Sequence, residues 1–419
     1  MSKLKFGEEI IALNDLQKIL LATQKAIMLK DGSLGVLGNE WLQQYSTIIK
    51  HGNIINKSEI VVAKWMIITE AENENGAISL RANLKEVWWK KWKQWQETDV
   101  AIYEVPNSVK ATLRPYQQKG FEWMVLFSEA GAGTCLADDM GLGKTLQTIC
   151  FLVHHIALNN KQQHLIVCPS SLLYNWQQEL EKFAPQLTIF IHHGPNRDIK
   201  NIEKNGSNII LTTYSTLRND IDEMAAIPFG AAVIDESHNI KNPAALITKA
   251  VGQLNAAYRI ALSGTPVMNN TFDLYAQLSF LLPGMFGSRD FFRKEYADAI
   301  DRDNDPEKIA MLKKLTAPFV LRRTKEQVAT DLPEKIESVL WCEMGANQRM
   351  GYESIKEKIK SSIFLDIKEK GLGAGKLSVI NGLLKLRQVC NSCELVKEDR
   401  KSTRLNSSHP SISRMPSSA

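Results

Sequence analysis

The stretch "LADDMGLGKTLQTI", Leu136 to Ile149, presents a strand end, a turn holding two glycines and the start of an amphipathic helix. That order is the setting a phosphate-binding loop requires. Gly141 and Gly143 let backbone N–H groups turn toward an anion without obstruction from a Cβ, at a helix N-terminus whose dipole favours negative charge. Lys144 has the reach for the β- and γ-phosphates of a nucleotide, and the Thr145 hydroxyl is suited to ligate magnesium. The loop departs from the pattern G-x-x-x-x-G-K-[ST] at its first position, where Asp138 replaces glycine. Taken alone, the stretch also fits a tight strand–helix turn with a chance Gly-Lys-Thr.

A second stretch, "VIDESHN", follows a short apolar strand about ninety residues after Lys144. An aspartate at a strand end can hold magnesium through its water shell, and a neighbouring glutamate can position or deprotonate an attacking water. Asp235 and Glu236 fit those two roles; His238 is placed to sense the γ-phosphate or to link to a later loop. Acids after a strand are common on protein surfaces, so this stretch gains its weight from pairing with the phosphate loop.

Around the two stretches, apolar strands alternate with helical segments from Thr112 onward. The strands are "GTCLA", "HLIVCP", "NIILTT", "AAVID" and "RIALSG". Such alternation predicts an α/β fold, a mainly parallel sheet covered by helices, with ligands at the carboxyl ends of the strands. Beyond Thr271 the pattern becomes largely helical and strongly charged. The boundaries expected are 1–105 for an N-terminal region, 106–285 for the α/β lobe, 286–398 for helical protrusion segments and 399–419 for a separate tail.

The N-terminal region has a small α+β character. Asp31-Gly32 between "AIML" and "LGVL" signals a hairpin, "EIVVAKWMII" a strand, and "TEAENENGA" a loop. In "LKEVWWKKWKQWQ", Leu84, Trp88, Trp92 and Trp95 recur at helical spacing among Lys85, Lys90, Lys91 and Lys93. Aromatics interleaved with cations can bind nucleic acid. An amphipathic helix that packs its tryptophans onto a neighbour and solvates its lysines is the plainer reading. "VPNSVKATLRP" then reads as a linker.

Composition narrows the class. A 44% hydrophobic and 23% charged chain of 419 residues is that of an ordinary globular protein with two or three domains. The N-terminus carries acids where a secretory signal would be apolar, and no apolar run approaches the roughly twenty residues that span a bilayer. The expectation is a cytoplasmic protein with no membrane partner. The six cysteines are scattered, and Cys390 with Cys393 forms one C-x-x-C pair lacking the second pair of a structural zinc site. The last 21 residues, from Asp399, turn serine-rich, and "DRKSTRLNSSH" corresponds in frame to a common short-read sequencing adapter. We expect the authentic sequence to stop near Lys397 or Glu398. Without the tail's four basic residues and one acid, the net charge of +5 falls to +2, weak support for nucleic acid by charge alone.

Taken together, the motifs resemble those of the Swi/Snf family of DNA-translocating ATPases, in helicase superfamily two. "LRPYQQKGFEWM" looks like the adenine-side motif, Gln117 matching its glutamine. "DDMGLGKT", Asp138, Asp139, Met140, Gly141, Leu142, Gly143, Lys144 and Thr145, matches the family's nucleotide-binding loop, in which aspartate at the first position is usual. "LIVCPSSLLYNWQQEL", "LTTYSTL" and "DESH" resemble the motifs that follow, and "ALSGTPVMNN", with Ser263, Gly264 and Thr265, the one coupling hydrolysis to DNA movement. "LRRTKEQVATDLPEK" is the most specific signature, and "LRQVCNSC" resembles a later stretch with Cys393 where proline is usual.

The resemblance implies a RecA-like P-loop lobe with helices on both faces of its sheet, followed by helical protrusions. It further implies ATP and Mg2+ as cofactors and double-stranded DNA as partner, with Pro169, Ser170, Thr213 and Tyr214 at positions facing the DNA backbone. Proteins bound to that DNA, RNA polymerase or other complexes, would be displaced by such a motor. The compartment is the bacterial nucleoid, or the nucleus in a eukaryote. The family's second lobe would lie beyond this chain, and Met1 to Glu104 looks like a bacterial helicase-associated region. Two other readings stay open: a non-hydrolysing module that nucleotide gates, and an RNA helicase of the same superfamily. Intact Lys144, Thr145, Asp235 and Glu236 argue against the first, and "LRRTKEQVATDLPEK" against the second.

Overall fold

Strands buried on both faces need near-continuous apolar sequence, and the runs singled out above have it. In the computed structural model they form β1 (Thr134–Leu136), β2 (Gln163–Cys168), β4 (Ile209–Thr213), β5 (Phe229–Ile234) and β6 (Ala256–Leu262). Two more strands join them, β3 (Ile189–His192) and β7 (Val320–Leu321). The seven make one parallel sheet in the order β7-β1-β6-β5-β2-β4-β3. The structure describes residues 5–6, 9–21, 24, 26–38, 41–42, 45, 49, 53–56, 59–61, 82–158, 162–200, 202, 206–264, 271–328 and 339–391. The tail from Asp399, Cys393, Thr265, the loop "TEAENENGA" and most of "EIVVAKWMII" lie outside these residues.

Parallel strands need crossovers, and helices supply them. Helix α1 (Ala82–Glu97) and α2 (Pro115–Glu129) precede the sheet. Next come α3 (Lys144–Leu158), α4 (Leu173–Phe183), α5 (Tyr214–Asn219), α6 (Leu246–Gln253) and α7 (Thr271–Leu281). This is the α/β arrangement expected of a RecA-like lobe. Two strands escape sequence reading for want of length. β7 has two residues inside a stretch read as helical, and β3, at the opposite edge, has four.

The tryptophan stripe of α1 is core. Trp88 is buried, donates from Nε1 to the Leu126 carbonyl at 2.8 Å and meets Phe127 edge-on. Trp92 stacks between Trp88 and Trp95, and Trp95 Nε1 donates to the Lys119 carbonyl at 3.0 Å. Lys91 pairs with Glu129 at 2.9 Å. The face that could have held bases is therefore spent on α2. The Asp31-Gly32 hairpin also forms: Ala26–Met28 pairs with Leu34–Val36, Gly32 has φ 84°, and Asp31 Oδ1 accepts from the amide and hydroxyl of Ser33.

The chain divides into two units, Met1–Leu332 and Pro333–Ala419. In the second, α8 (Ala346–Asn391) is one helical segment that doubles back on itself. Straight, its 46 residues would span about 69 Å. Instead Gln348 Nε2 donates to the carbonyls of Val389 (3.0 Å) and Cys390 (2.8 Å), and a Cβ on Gly382 would sit 2.5 Å from Ile359. Among the described residues no helix is long and apolar enough to cross a membrane.

Candidate functional site

A parallel sheet sends every crossover out from its carboxyl edge, so motifs far apart in sequence meet there. The phosphate loop leaves β1, the acidic pair leaves β5, and Ser263 with Gly264 leaves the neighbouring β6. Pro169 and Ser170 follow β2, and Thr213 ends β4.

Gly141 and Gly143 have φ of 85° and 73°, the left-handed region where a side chain is strained. At Gly143 a Cβ would also lie 2.4 Å from Gln117 Nε2. Gln117 is buried against this turn: its Nε2 donates to the Leu142 carbonyl (3.2 Å), and its Oε1 accepts from the Arg114 amide (2.9 Å). The residue read as adenine-side thus also braces the phosphate loop. Lys144 opens α3, and its Nζ donates to the carbonyls of Asp138 (2.7 Å) and Asp139 (3.2 Å). Burial lowers its pKa, while the charges of Asp138, Glu236, Asp235 and Asp139 oppose that shift. With Asp138 matched by Arg323, Lys144 still faces Asp139, Asp235 and Glu236, an excess of acid that suits a divalent cation. The glycine turn and the adjacent Thr145 hydroxyl are donor groups of the kind that Mg2+ with a nucleotide polyphosphate would use.

Asp235 is held by its own strand end. Its amide donates to the Val167 carbonyl (2.8 Å), Oδ1 accepts from the Glu236 amide (2.8 Å), and Oδ2 accepts from Trp176 Nε1 (2.8 Å). Burial raises its pKa, and the Trp176 and Glu236 hydrogen bonds counter that rise. Glu236 takes φ 48° and ψ 57°, a left-handed non-glycine residue. His238 Nδ1 approaches Glu236 Oε2 to 3.2 Å without hydrogen-bond alignment. Trp176 lies in the quoted motif "LIVCPSSLLYNWQQEL" but was not singled out there; a lone indole in an amphipathic helix carries no sign that it will orient a carboxylate.

The stretch after β6 touches β1 and the phosphate loop directly. The Ser263 amide donates to the Leu136 carbonyl (3.2 Å), and a Cβ on Gly264 would lie 2.8 Å from Met140 Cγ. Of the four residues expected on the DNA backbone, Ser170 is exposed and Pro169 half-buried. The side chains of the other two are interior. Thr213 is buried and caps α5, its Oγ1 accepting from the Thr216 amide (3.3 Å), while the buried Tyr214 hydroxyl donates to the Asp235 carbonyl at 2.6 Å. Tyr214 therefore links β4 to the acidic strand end.

Asp138, the departure from the phosphate-loop pattern, is fully buried and accepts from Arg323 of "LRRTKEQVATDLPEK" on both carboxylate oxygens. Two features that carry the family resemblance are thus one contact. Arg323 was not singled out as a site residue; only that signature marked its neighbourhood.

Comparison with known proteins agrees. The model of the SNF2-related domain matches residues 116–395. A Bacillus subtilis protein, YwqA, an ATP-dependent helicase/translocase by its name, is 37% identical over 306 residues, 71% of this chain and 33% of YwqA. MOT1 of Saccharomyces cerevisiae, a TATA-binding protein-associated factor, is 32% identical over 338 residues, 75% of this chain and 18% of MOT1. The chain thus spans a third or less of these relatives. The SWI2/SNF2 ATPase core of Sulfolobus solfataricus, solved in complex with double-stranded DNA, superposes with a TM-score of 0.52 at 39% identity, covering 72% of this chain and 63% of that one. With two thirds of its length matched and the site motifs assembled on one sheet edge, the chain belongs to the SNF2-related family of helicase superfamily two.

Proposed function

We propose that this chain is the nucleotide-hydrolysing half of an ATP-driven translocase on double-stranded DNA. The observation that carries this reading is the convergence of Lys144, which follows β1, with the adjacent Asp235 and Glu236, which follow β5, beside one glycine turn. Lys144 neutralises the β- and γ-phosphates, and the backbone amides that follow Gly141 and Gly143 bind their oxygens. Thr145 and Asp235 would hold Mg2+, which would supply charge neutralisation at the phosphates. Glu236, whose backbone is left-handed, accepts the proton of the attacking water. His238, beside Glu236, and the Ser263–Gly264 turn, beside Met140, would carry a change at the γ-phosphate to neighbouring loops.

The Sulfolobus core was solved with duplex DNA, and that likeness supports the same ligand here, with Ser170 on the exposed rim. Contacts of this kind grip phosphates and carry no sequence information. MOT1 is named for a DNA-bound protein, which supports displacement of bound proteins as the work done. To test the reading, phosphate release is measured for this chain joined to the downstream half of YwqA, with duplex DNA, single-stranded DNA or RNA added. Stimulation by duplex DNA above both others is expected. Stimulation by RNA alone would assign the chain to RNA.

A further inference from the structure

Arg323 makes more polar contacts than any sheet-edge residue needs for packing. Its Nε donates to Asp138 Oδ1 (2.9 Å) and its Nη2 to Asp138 Oδ2 (2.5 Å). Its backbone amide donates to the same Oδ1 (3.1 Å). Nη2 also donates to Gln147 Oε1 (2.9 Å), Nη1 to the Tyr116 carbonyl, and the guanidinium lies over the Tyr116 ring. Helix α2 makes room for this: a Cβ on Gly120 would lie 1.9 Å from Gln147 Oε1 and 2.8 Å from Arg323 Nη2. The carboxylate is fully buried and the arginine side chain 13% exposed, so the pair is largely shielded from water.

Holding β7 in the sheet does not require this pair. The Ala137 amide already donates to the Leu321 carbonyl (2.7 Å), and the Asp139 amide to the Arg323 carbonyl (3.0 Å). What the side chains add is the orientation of the Asp138 peptide. Its carbonyl, with that of Asp139, is where Lys144 Nζ rests. Asp139 is gripped as well, its Oδ2 accepting from the Lys325 amide (3.1 Å).

We propose that Arg323 is a positioning residue of the nucleotide site: through Asp138 it fixes the phosphate loop and Lys144 for the phosphates of a nucleoside polyphosphate. This rests on the nucleotide reading above. It also gives Asp138 a reason to replace glycine, since only an acid there can receive a guanidinium fork on both oxygens.

The test uses the whole 419-residue chain as wild type, Arg323→Lys, Arg323→Gln, Asp138→Asn and the double variant Asp138→Asn with Arg323→Gln. Amide hydrogen exchange is followed at Gly141–Thr145 and, as internal reference, at Phe229–Ile234 of β5; MgADP affinity is measured by titration. In Arg323→Gln the loop amides should exchange at least about tenfold faster with β5 unchanged, and MgADP affinity should fall by about tenfold. Arg323→Lys, which keeps the charge but loses the fork, should fall between. The double variant, in which no charge is left buried alone, should bind no worse than the weaker single variant, and it serves if Arg323→Gln does not fold. The proposal is overturned if loop exchange and MgADP affinity stay within twofold of wild type, or if exchange rises equally in the loop and in β5, the mark of a structural staple. If the wild type itself does not bind MgADP, the nucleotide reading fails, and loop exchange alone still accepts or rejects the grip on the loop.

Discussion

Glu236 stands in a backbone conformation that costs a non-glycine residue on the order of 1–2 kcal/mol. The strand end holds it there, because Asp235 is bonded to Val167 and receives the Glu236 amide on its own carboxylate. Strain kept at a carboxylate in the candidate site separates stability from activity. Glu236→Gly should therefore be at least as stable as wild type in urea denaturation, although it deletes a side chain, and it should abolish turnover in a two-lobed chain. A loss of stability on that substitution would mean the backbone there is not strained. Glu236→Gln should keep nucleotide binding and stop hydrolysis, since only the proton acceptor is lost. Turnover at the wild-type rate in Glu236→Gln would remove Glu236 from the chemistry. Lys144→Ala should weaken MgADP binding in titration, because the phosphates lose the cation that opens α3. The sequence made these residues legible because their spacing follows from chemistry: a glycine turn, then a cation, then an acid at a strand end. Trp176 and Arg323 were not, because they act through long-range hydrogen bonds that leave no local period, and the bond from Tyr214 to the Asp235 carbonyl was hidden for the same reason.

At the scale of elements, buried strands declare themselves and edge strands do not. β5 is apolar throughout and buried throughout, whereas β7 owes its place to backbone bonds beside the phosphate loop. The opposite edge, β3, is fastened by Asp220, which receives Arg197 on both oxygens (2.6 and 2.8 Å) and lies 2.9 Å from His192 Nε2. Those Arg197 hydrogen bonds, ahead of the His192 contact, hold the Asp220 carboxyl below its ordinary pKa. A depressed carboxyl pKa stabilises the fold at every pH above the unfolded value of about 3.9 and loses that effect as pH falls through the lower folded value. Asp220→Asn should lower the melting temperature by about 2–4 °C at neutral pH, a modest effect for a partly exposed pair. The gap to wild type should close as the pH is lowered from about 5 to about 3. Melting curves in which the gap stays constant would show that the charge of Asp220 plays no part.

The molecule as a whole leads to the last prediction: the 419-residue polypeptide by itself should bind MgATP weakly and turn it over slowly. This chain covers 63% of the solved SWI2/SNF2 core, and its own sheet edge carries the glycine turn, Lys144, Asp235 and Glu236. In a closed two-lobed site, a second surface excludes water from the γ-phosphate and adds cations to the charge that develops there. Facing water instead, the same groups act through a high dielectric and stabilise that charge poorly. An arginine supplied across such a cleft is typically worth about 10³ to 10⁵ in rate, enough by itself to hide hydrolysis. Stimulation by DNA should be absent for the same reason, since it depends on closure around the duplex. Phosphate release from the purified chain should thus be near background with or without duplex DNA, and joining the downstream half of YwqA should restore both. If the polypeptide alone hydrolysed ATP several times per second and accelerated with DNA, the site on this sheet edge would be complete in itself and the two-lobe mechanism wrong for this chain.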